Sequence, residues 1–355
     1  MPPTPADRPE SGLPGRRARV SACAAVVTTD GAVLQVDDPA AELDGVHLEP
    51  GWSAADPTPE FVFSGGRWVL RLPRPPAWRL EYRTVLRHHD GTRSTLDAPT
   101  ELHFPDYRSP AWLDTPDTGT LRAVPTPAGR LAAPVPTRLW SPAGLSSSAP
   151  APLLVVHDGS DLAERGALLR WAAHLYRPIR VALLDAAPGH REEWYAADPD
   201  YADHLAEVVL PAIGARVLTG SVVGLGASLG AVALLATQRQ HPASFSALAL
   251  QSGSFFTPDL DPQESDFRFF GQITAFVRRT AAGPDLSRAA PRPVPVLLTC
   301  GAVEENLANN RAMAAVLTRQ GHPVDLRIVP DAHSVVGWRD AWSPGLENLL
   351  QKVDR

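Results

Sequence analysis

The feature that most constrains the fold of this chain is the pentapeptide Gly-Ala-Ser-Leu-Gly at residues 226–230. An apolar run at residues 222–225 precedes it and an Ala/Leu-rich segment at residues 231–235 follows it. A strand, a sharp turn and a helix in this order, with serine at the tip, form the pattern of a nucleophile elbow. Glycine is required on both sides because a Cβ would collide where the strand and helix cross. The pattern predicts a nucleophile at Ser228, and the alternative is a Gly-rich turn in which this serine caps the helix.

The chain beyond residue 150 alternates short apolar runs with helical patterns. The runs do not alternate in polarity, which is typical of strands buried on both faces of a parallel sheet. We therefore predict an α/β-hydrolase fold, a mostly parallel sheet with helices on both faces. Proline-rich edge strands are expected within residues 120–141. The predicted strands are 153–156, 179–184, 222–225, 247–250, 293–299 and 324–329. The predicted helices are 162–176, 201–213, one that starts at Leu229 and ends near His241, 266–279, 305–319 and one near Leu346.

The first third of the chain has a different pattern, in which short strands are separated by turn signals such as Asp30-Gly31 and Asp90-Gly91. This spacing favours a small antiparallel β-sandwich. The predicted organisation is a disordered tail at 1–17, an N-terminal β-sandwich domain at 18–112 and an α/β-hydrolase catalytic domain at 113–355. The predicted strands of the sandwich are 19–27, 32–36, 60–63, 67–72 and 78–86.

Composition excludes several classes of partner. A formal net charge of −6 and a pI near 6.0 give no reason to expect nucleic acid or an acidic membrane surface. The two cysteines, Cys23 and Cys300, form neither a disulfide framework nor a cysteine metal site. No signal peptide or membrane-spanning segment is visible, so we expect a cytoplasmic protein. The residues considered below imply no metal and no organic cofactor. The oligomeric state is left open.

A serine nucleophile needs a base within hydrogen-bond reach and an acid that orients that base. In α/β-hydrolases these follow the serine in the order acid, histidine. His333 follows the strand 324–329 at the carboxyl edge and is the predicted base, whereas His322 lies in a turn at the opposite edge. Glu304, in the loop after the strand 293–299, is the preferred acid.

Two other acids stay open at this point. Glu305 stands beside Glu304 and also suits a helix N-terminus, and Asp331 is close to His333 in sequence. An oxyanion hole needs two backbone donors. One is the amide of Leu229, and the other is the amide of Gly159 or Ser160 in the loop after strand 153–156, unless that loop is a plain Asp-Gly turn.

At these residues the chain resembles the enterochelin (enterobactin) esterase family of α/β-hydrolases, which is grouped with the esterase-D-like esterases. The resemblance covers about residues 150–342. Its motifs are Val156 to Gly159, Leu184-Asp185, His190 to Glu193, Leu210-Pro211, the elbow, Leu250 to Phe255, Gly301 to Glu304, and His333 with Trp338 five residues later.

The resemblance implies that Ser228, His333 and Glu304 act together, and that an N-terminal β-sandwich helps to form the substrate site. It also implies that Arg191 positions substrate, although a surface salt bridge to Glu192 or Glu193 is the alternative. The chain departs from the family at Asp331-Ala332-His333-Ser334, where Gly-Gly-His-Asp is usual, and at Leu229, where an aromatic residue is frequent.

These observations together predict a serine ester hydrolase that works through an acyl-enzyme on a small-molecule ester. The resemblance suggests a ferric siderophore of the enterobactin type, a trilactone, although the sequence has no basic cluster for an iron-catecholate trianion. The alternatives are an acyltransferase on the same scaffold and a non-catalytic binding protein with a hydrolase fold.

Overall fold

A computed structural model of the chain describes residues 22–50, 60–283 and 293–353. The predicted disordered tail at 1–17 lies outside the described residues. Within them, two antiparallel sheets occupy residues 23–103, and an eight-stranded sheet with its helices begins at Thr120. The predicted fold class, an α/β-hydrolase preceded by a small β-sandwich, is confirmed. The boundary at residue 112 stays a prediction.

The N-terminal β-sandwich consists of a four-stranded sheet in the order β1-β2-β5-β4 and a three-stranded sheet in the order β3-β6-β7, with all neighbours antiparallel. Leu34, Leu48 and Leu80 are fully buried between the sheets, because alternate residues of each strand face inward. Its strands are β1 (Cys23–Thr28), β2 (Gly31–Asp37), β3 (Leu43–Pro50), β4 (Val62–Ser64), β5 (Arg67–Pro73), β6 (Arg79–His88) and β7 (Arg93–His103).

The large sheet has the order β15-β14-β13-β12-β10-β11-β9-β8. The six strands from β10 to β15 are parallel to one another, and the predicted proline-rich edge, β9 and β8, is antiparallel to β11 and to itself. The central strands are buried along most of their length, as parallel sheets require. The strands are β8 (Thr120–Ala123), β9 (Thr137–Ser141), β10 (Ala151–His157), β11 (Arg180–Leu184), β12 (Thr219–Ala227), β13 (Ala247–Gln251), β14 (Val296–Gly301) and β15 (Val324–Val329).

Helices cover both faces of the large sheet, and each face has its own apolar core. They are α1 (Gly159–Glu164), α2 (Leu168–His174), α3 (Arg191–Tyr195), α4 (Pro199–His204), α5 (Leu210–Gly214), α6 (Leu229–Gln240), α7 (Phe270–Ala282), α8 (Leu307–Arg319), α9 (Val335–Asp340) and α10 (Trp342–Val353), with 3₁₀ turns at Ala111–Asp114 and Pro262–Glu264 and a π-helical turn at Leu205–Val209. Among the described residues, no helix has both the length and the apolar character needed to cross a membrane.

Two predicted helices are wrong in their continuity. The segment 162–176 is split into α1 and α2, because Ala167 adopts a left-handed conformation with φ 55°. The segment 201–213 contains the π-helical turn, since Pro211 has no N–H to continue an α-helical ladder. The structure also adds the strands β3 and β7, which the sequence analysis did not predict.

Buried polar contacts join the sandwich to the loop after β15. The Trp78 amide donates to the carbonyl of Pro330 at 2.6 Å. Arg79, whose side chain is 1% exposed, donates from Nε to Asp331 Oδ2 at 2.8 Å and also pairs with Asp340. Burial works against the charge of this guanidinium, but the charges of Asp331 and Asp340 outweigh it and raise the pKa of Arg79.

Candidate active site

Ser228 lies at the tip of a sharp turn between β12 and α6, as the elbow pattern predicts. Its backbone has φ 56° and ψ −124°, a conformation that costs free energy for any residue with a Cβ and that concentrates at functional sites. Close packing enforces the turn: a Cβ on Gly226 would lie 2.5 Å from the carbonyl oxygen of Gly230. Gly226 is therefore required sterically.

Hydrogen bonds from the next strand hold the turn in place. The Ser228 amide donates to Gln251 O at 2.9 Å, and the Ser254 amide donates to Ser228 O at 3.2 Å. The side-chain hydroxyls of Ser228 and Ser254 are 3.1 Å apart. Ser254 belongs to the stretch 250–255 that carried part of the sequence resemblance, and it is the hydroxyl partner of Ser228 that sequence reasoning did not identify.

His333 follows β15 and lies on the same edge of the sheet as Ser228. Its Nδ1 is 3.0 Å from Oε2 of Glu304, and its ring meets the edge of Trp338 at 5.1 Å between centroids. Because an ionised carboxylate can only accept, Nδ1 carries the proton and Nε2 is the nitrogen with a lone pair. This is the tautomer that a general base requires.

The carboxylate of Glu304 is buried and accepts several hydrogen bonds. The Gly301 amide and the Ser252 hydroxyl each donate to Oε1 at 2.7 Å. Trp338 donates in turn from Nε1 to the Ser252 hydroxyl at 3.0 Å. The charge on Glu304 is thereby stabilised in a site that is 8% exposed, and its second oxygen is directed to His333.

Asp331, one of the alternative acids, is engaged elsewhere. Its Oδ2 accepts from Arg79, and its Oδ1 accepts from the Ala332 amide at 2.9 Å. The hydrogen bond to His333 is made by Glu304. The geometry therefore favours Glu304 as the orienting acid and gives Asp331 a role in anchoring the loop.

Ser228 and His333 are not hydrogen-bonded to each other in this arrangement, in which the serine hydroxyl is bonded to Ser254. Ala227, the residue before the serine, lines the same cleft as His333. In proteins without bound substrate, hydrogen bonds between a nucleophile and its base are often long or unformed. Rotation about χ1 of Ser228 would exchange Ser254 for another partner.

His157, at the end of β10, is a second histidine close to the elbow. A Cβ on Gly230 would lie 3.0 Å from its Cβ, and Tyr201 Oη lies 2.9 Å from its Nε2. Complete burial, together with the charge of Arg191, lowers the pKa of His157 to about 3. This histidine is therefore neutral and structural.

Of the predicted oxyanion donors, the Ser160 amide is already occupied because it donates to Asp185 Oδ1 at 2.9 Å. Gly159 and Leu229 are the first residues of α1 and α6, where amides have no intrahelical partner. A Cβ on Gly159 would lie 2.6 Å from Leu183 Cα, which explains glycine there. The geometry thus favours Gly159 over Ser160.

Arg191, at the start of α3, does not form the predicted alternative salt bridge to Glu192 or Glu193. It donates from Nε and Nη2 to the two carboxylate oxygens of Asp158, at 2.8 and 2.6 Å. Burial works against its charge, but Asp158 raises the pKa of Arg191. The guanidinium lines the cleft with its charge already compensated.

The cleft at this edge has a volume of about 530 Å³. It is lined by the sandwich as well as by the large sheet, since Glu81 of β6 faces it. Sequence reasoning missed Glu81, because no local pattern reports a contact between distant strands. Its lining residues include Glu81, Asp158, Ser160, Asp161, Arg165, Asp185, Arg191, Ala227, His333 and Trp338.

Within the described part of the chain, one group of side chains has the spacing of a metal site, namely Asp203, Glu207 and His241. Asp203 Oδ1 already bonds to His241 Nε2 at 2.7 Å. This group does not line the cleft, so it offers no ligand to an ester bound beside His333.

The fold and the arrangement of residues at the carboxyl edge define the α/β-hydrolase class. No model of a known protein family matches the sequence, and no curated protein sequence matches it at a significant level. Solved structures do match.

The ferric enterobactin esterase from Salmonella typhimurium is 18% identical over 95% of this chain and 98% of that chain, with a TM-score of 0.72. The enterochelin esterase from Shigella flexneri is 16% identical over 95% and 97%, with a TM-score of 0.70. A ferulic acid esterase is 19% identical over 66% of this chain and 99% of that chain, with a TM-score of 0.54. The resemblance to enterochelin esterases is thereby confirmed at the level of the fold, including the sandwich.

Proposed function

We propose that this protein is a serine ester hydrolase that acts through an acyl-enzyme. The observation that carries the proposal is the strained turn at Ser228 on the same sheet edge as the His333–Glu304 pair. Strained nucleophiles beside an oriented histidine are the recurrent arrangement for acyl transfer. The solved structures with this fold that are named as esterases support the same reaction class.

The first half of the proposed reaction forms the acyl-enzyme. Ser228 Oγ turns from Ser254, gives its proton to His333 Nε2 and attacks the ester carbonyl carbon. Glu304 stabilises the imidazolium through Nδ1–H, and the amides of Leu229 and Gly159 donate to the oxyanion. The tetrahedral adduct collapses, the C–O bond to the alcohol breaks, and the alcohol leaves with the proton from His333.

The second half consumes water and regenerates the serine. His333 Nε2 takes a proton from water, and the resulting oxygen attacks the acyl carbonyl. The bond to Ser228 Oγ breaks, and this oxygen recovers its proton from His333 as the carboxylic acid leaves. Arg191 stays a predicted substrate-positioning residue next to this path.

A siderophore trilactone is the candidate substrate that the neighbours' names raise. Those structures are named as enterobactin esterases and match both the sandwich and the hydrolase part of this chain. Hydrolysis of a trilactone would weaken iron(III) binding because it destroys the preorganisation of the chelating arms. Against this candidate, the guanidinium of Arg191 beside the oxyanion loop is already paired with Asp158.

The test of the proposed function combines labelling with turnover. We expect a fluorophosphonate probe to label Ser228 in the wild type and not in Ser228→Ala. We also expect Ser228→Ala and His333→Ala to lower hydrolysis of short p-nitrophenyl esters by at least about a thousandfold. Ser148→Ala and His89→Ala, at exposed positions, are matched controls.

The same assay separates the alternatives. Absence of labelling and turnover in folded protein would contradict the proposal and favour a binding protein on a hydrolase scaffold. Preferential transfer of the acyl group to an added alcohol would favour an acyltransferase. Ferric and iron-free trilactones in the ester panel test the siderophore substrate.

A further inference from the structure

Glu81 is a charged side chain of the cleft without a hydrogen-bond partner among the residues that the structure describes. The carboxylate of Glu81 forms no hydrogen bond and no ion pair with the described residues, and its Oε1 is buried from solvent. Glu81 is the residue through which β6 of the sandwich lines the cleft beside His333. Glu81 is partly exposed as a residue, but an acceptor oxygen that is buried without a donor costs free energy unless a ligand supplies that donor.

The other carboxylates that line the cleft are compensated. Asp158 is paired with Arg191, and Asp161 lies 3.5 Å from Arg165. Asp185 accepts from the amide and the hydroxyl of Ser160, at 2.9 and 2.6 Å, and has Arg138 at 3.6 Å.

Two arginines of β6 stand two residues from Glu81, namely Arg79 and the exposed Arg83, and neither forms a hydrogen bond or an ion pair with Glu81 among the described residues. Arg79, two residues earlier on the same face of β6, is bonded to Asp331, Asp340 and Glu101. None of these hydrogen bonds goes to Glu81, so its carboxylate is not part of the buried ion network around Arg79.

The net charge of the whole cleft also favours a cationic ligand. Four carboxylates and two guanidinium groups line it, so it is formally negative with His333 neutral. Such a cleft concentrates cations and repels anions. A trianionic iron-catecholate would meet an unfavourable field here.

We propose that Glu81 binds an ammonium group of the substrate, so that the preferred esters carry a cationic amine that extends towards the sandwich. This inference rests on the proposed function for the ester bond, and it assigns the substrate class to the same cleft. A carboxylate and an ammonium form a charge-assisted hydrogen bond, which neither a methyl group nor a second carboxylate can replace.

The test uses three p-nitrophenyl esters of nearly equal length. 6-Aminohexanoate presents an ammonium, heptanoate presents a methyl group of similar size, and the hexanedioate monoester presents a carboxylate. We expect the wild type to hydrolyse the ammonium ester with a kcat/KM at least tenfold above heptanoate, and the carboxylate ester more slowly than either. Because the amine is remote from the reacting carbonyl, the difference should lie mainly in KM.

Glu81→Gln removes the charge with little change of shape. We expect it to lower kcat/KM for the ammonium ester about tenfold and to change kcat/KM for heptanoate by less than about twofold. The kcat/KM for the carboxylate ester should rise, because the repulsion between two carboxylates is removed. Glu49→Gln, at an exposed position of β3, is the matched control and should change none of the three. Glu81→Asp should retain part of the preference because it keeps the charge.

Equal kcat/KM values for the three esters in the wild type would overturn the proposal, and so would an equal loss on all three in Glu81→Gln. A calorimetric titration with 6-aminohexanamide and heptanamide gives a readout without turnover. Tighter binding of the amine that is lost in Glu81→Gln supports the proposal even if no ester is hydrolysed, in which case the hydrolase function alone fails. Turnover of the esters without any preference for the amine would support the proposed hydrolase function and contradict the proposed role of Glu81.

Discussion

Nε of Arg79 donates a 2.8 Å hydrogen bond to Oδ2 of Asp331, although the two residues are 252 positions apart in the chain. Arg79 lies in the sandwich, and Asp331 lies two residues before His333 in the loop after β15. Both side chains are 1% exposed. The loop that carries the proposed base is therefore fastened to the sandwich by a buried ion pair.

Replacement of Arg79 should destabilise the protein strongly. Arg79→Ala leaves Asp331 and Asp340 buried without their cation, and uncompensated buried charges of this kind cost about 3–5 kcal/mol of unfolding free energy. Urea denaturation measures the loss. Arg87→Ala, which removes an exposed pair with Asp44, should change the unfolding free energy by less than about 1 kcal/mol. Equal effects of the two substitutions would contradict the anchoring role of Arg79.

Glu304→Gln should lower kcat by a factor of about 10³ to 10⁴ with little change in KM, because the amide no longer stabilises an imidazolium and permits the wrong tautomer of His333. Steady-state hydrolysis of a p-nitrophenyl ester measures the effect. Glu305→Gln is the matched comparison and should retain kcat within about threefold. If Glu305→Gln instead carried the large loss, the assignment of the acid would be reversed.

The steric role of Gly226 predicts a contrast between two glycine substitutions. Gly226→Ala places a Cβ 2.5 Å from the Gly230 carbonyl oxygen and should cost at least about 2 kcal/mol and most of the activity. Gly271→Ala, in α7 with no atom within 4 Å of the added Cβ, should stabilise the protein by about 0.5–1 kcal/mol. Thermal unfolding of both variants checks the sign of each effect, and a stabilised Gly226→Ala would refute the tight crossing.

Buried His157 should make the protein sensitive to acid. Burial lowers its pKa from 6.5 to about 3, so below pH 6.5 the unfolded chain binds a proton that the folded protein does not. The contribution of this group to stability is therefore complete above pH 6.5 and falls as the pH is lowered. Linkage gives a loss of about 2 kcal/mol between pH 7 and pH 5.

His157→Gln removes this titration while keeping an acceptor for Tyr201. The difference in unfolding free energy between wild type and His157→Gln should therefore shrink by about 2 kcal/mol from pH 7 to pH 5. A constant difference for His157→Gln would mean that this histidine titrates normally in the folded state.

Local sequence patterns predicted the parts of the molecule that local physics determines. The turn at Ser228 is specified by two glycines and by apolar flanks, and the position of His333 follows from the order of strands in a parallel sheet. The sequence leaves open which of Glu304, Glu305 and Asp331 orients His333. The answer depends on which carboxylate accepts the hydrogen bond from Arg79 and which one faces the imidazole.

Local sequence patterns do not predict the contacts between the sandwich and the large sheet. Neither Arg79 nor Glu81 stands in a motif, since Arg79 bonds to Asp331 and Asp340, more than 250 positions away, and Glu81 lines a cleft formed mostly by the large sheet and its loops. The strand β7 had a usable signal in the Asp90-Gly91 turn, which predicts a hairpin partner for β6. The bond between Ser228 and Ser254 had none, because it depends on a side-chain rotamer.

Arg79 and Glu81 stand two residues apart on one face of β6, and strand geometry separates such neighbours by about 7 Å. A strand is stiff, so Arg79, which holds the loop after β15, and Glu81, which faces the cleft, move as one body. Replacing the sandwich with that of another protein would consequently change both the substrate preference and the contacts between the domains in one step. The elbow and His333 would remain unchanged in the hydrolase part. On this arrangement, the choice of substrate depends on the N-terminal sandwich, whereas the hydrolysis of the ester bond depends on the hydrolase part.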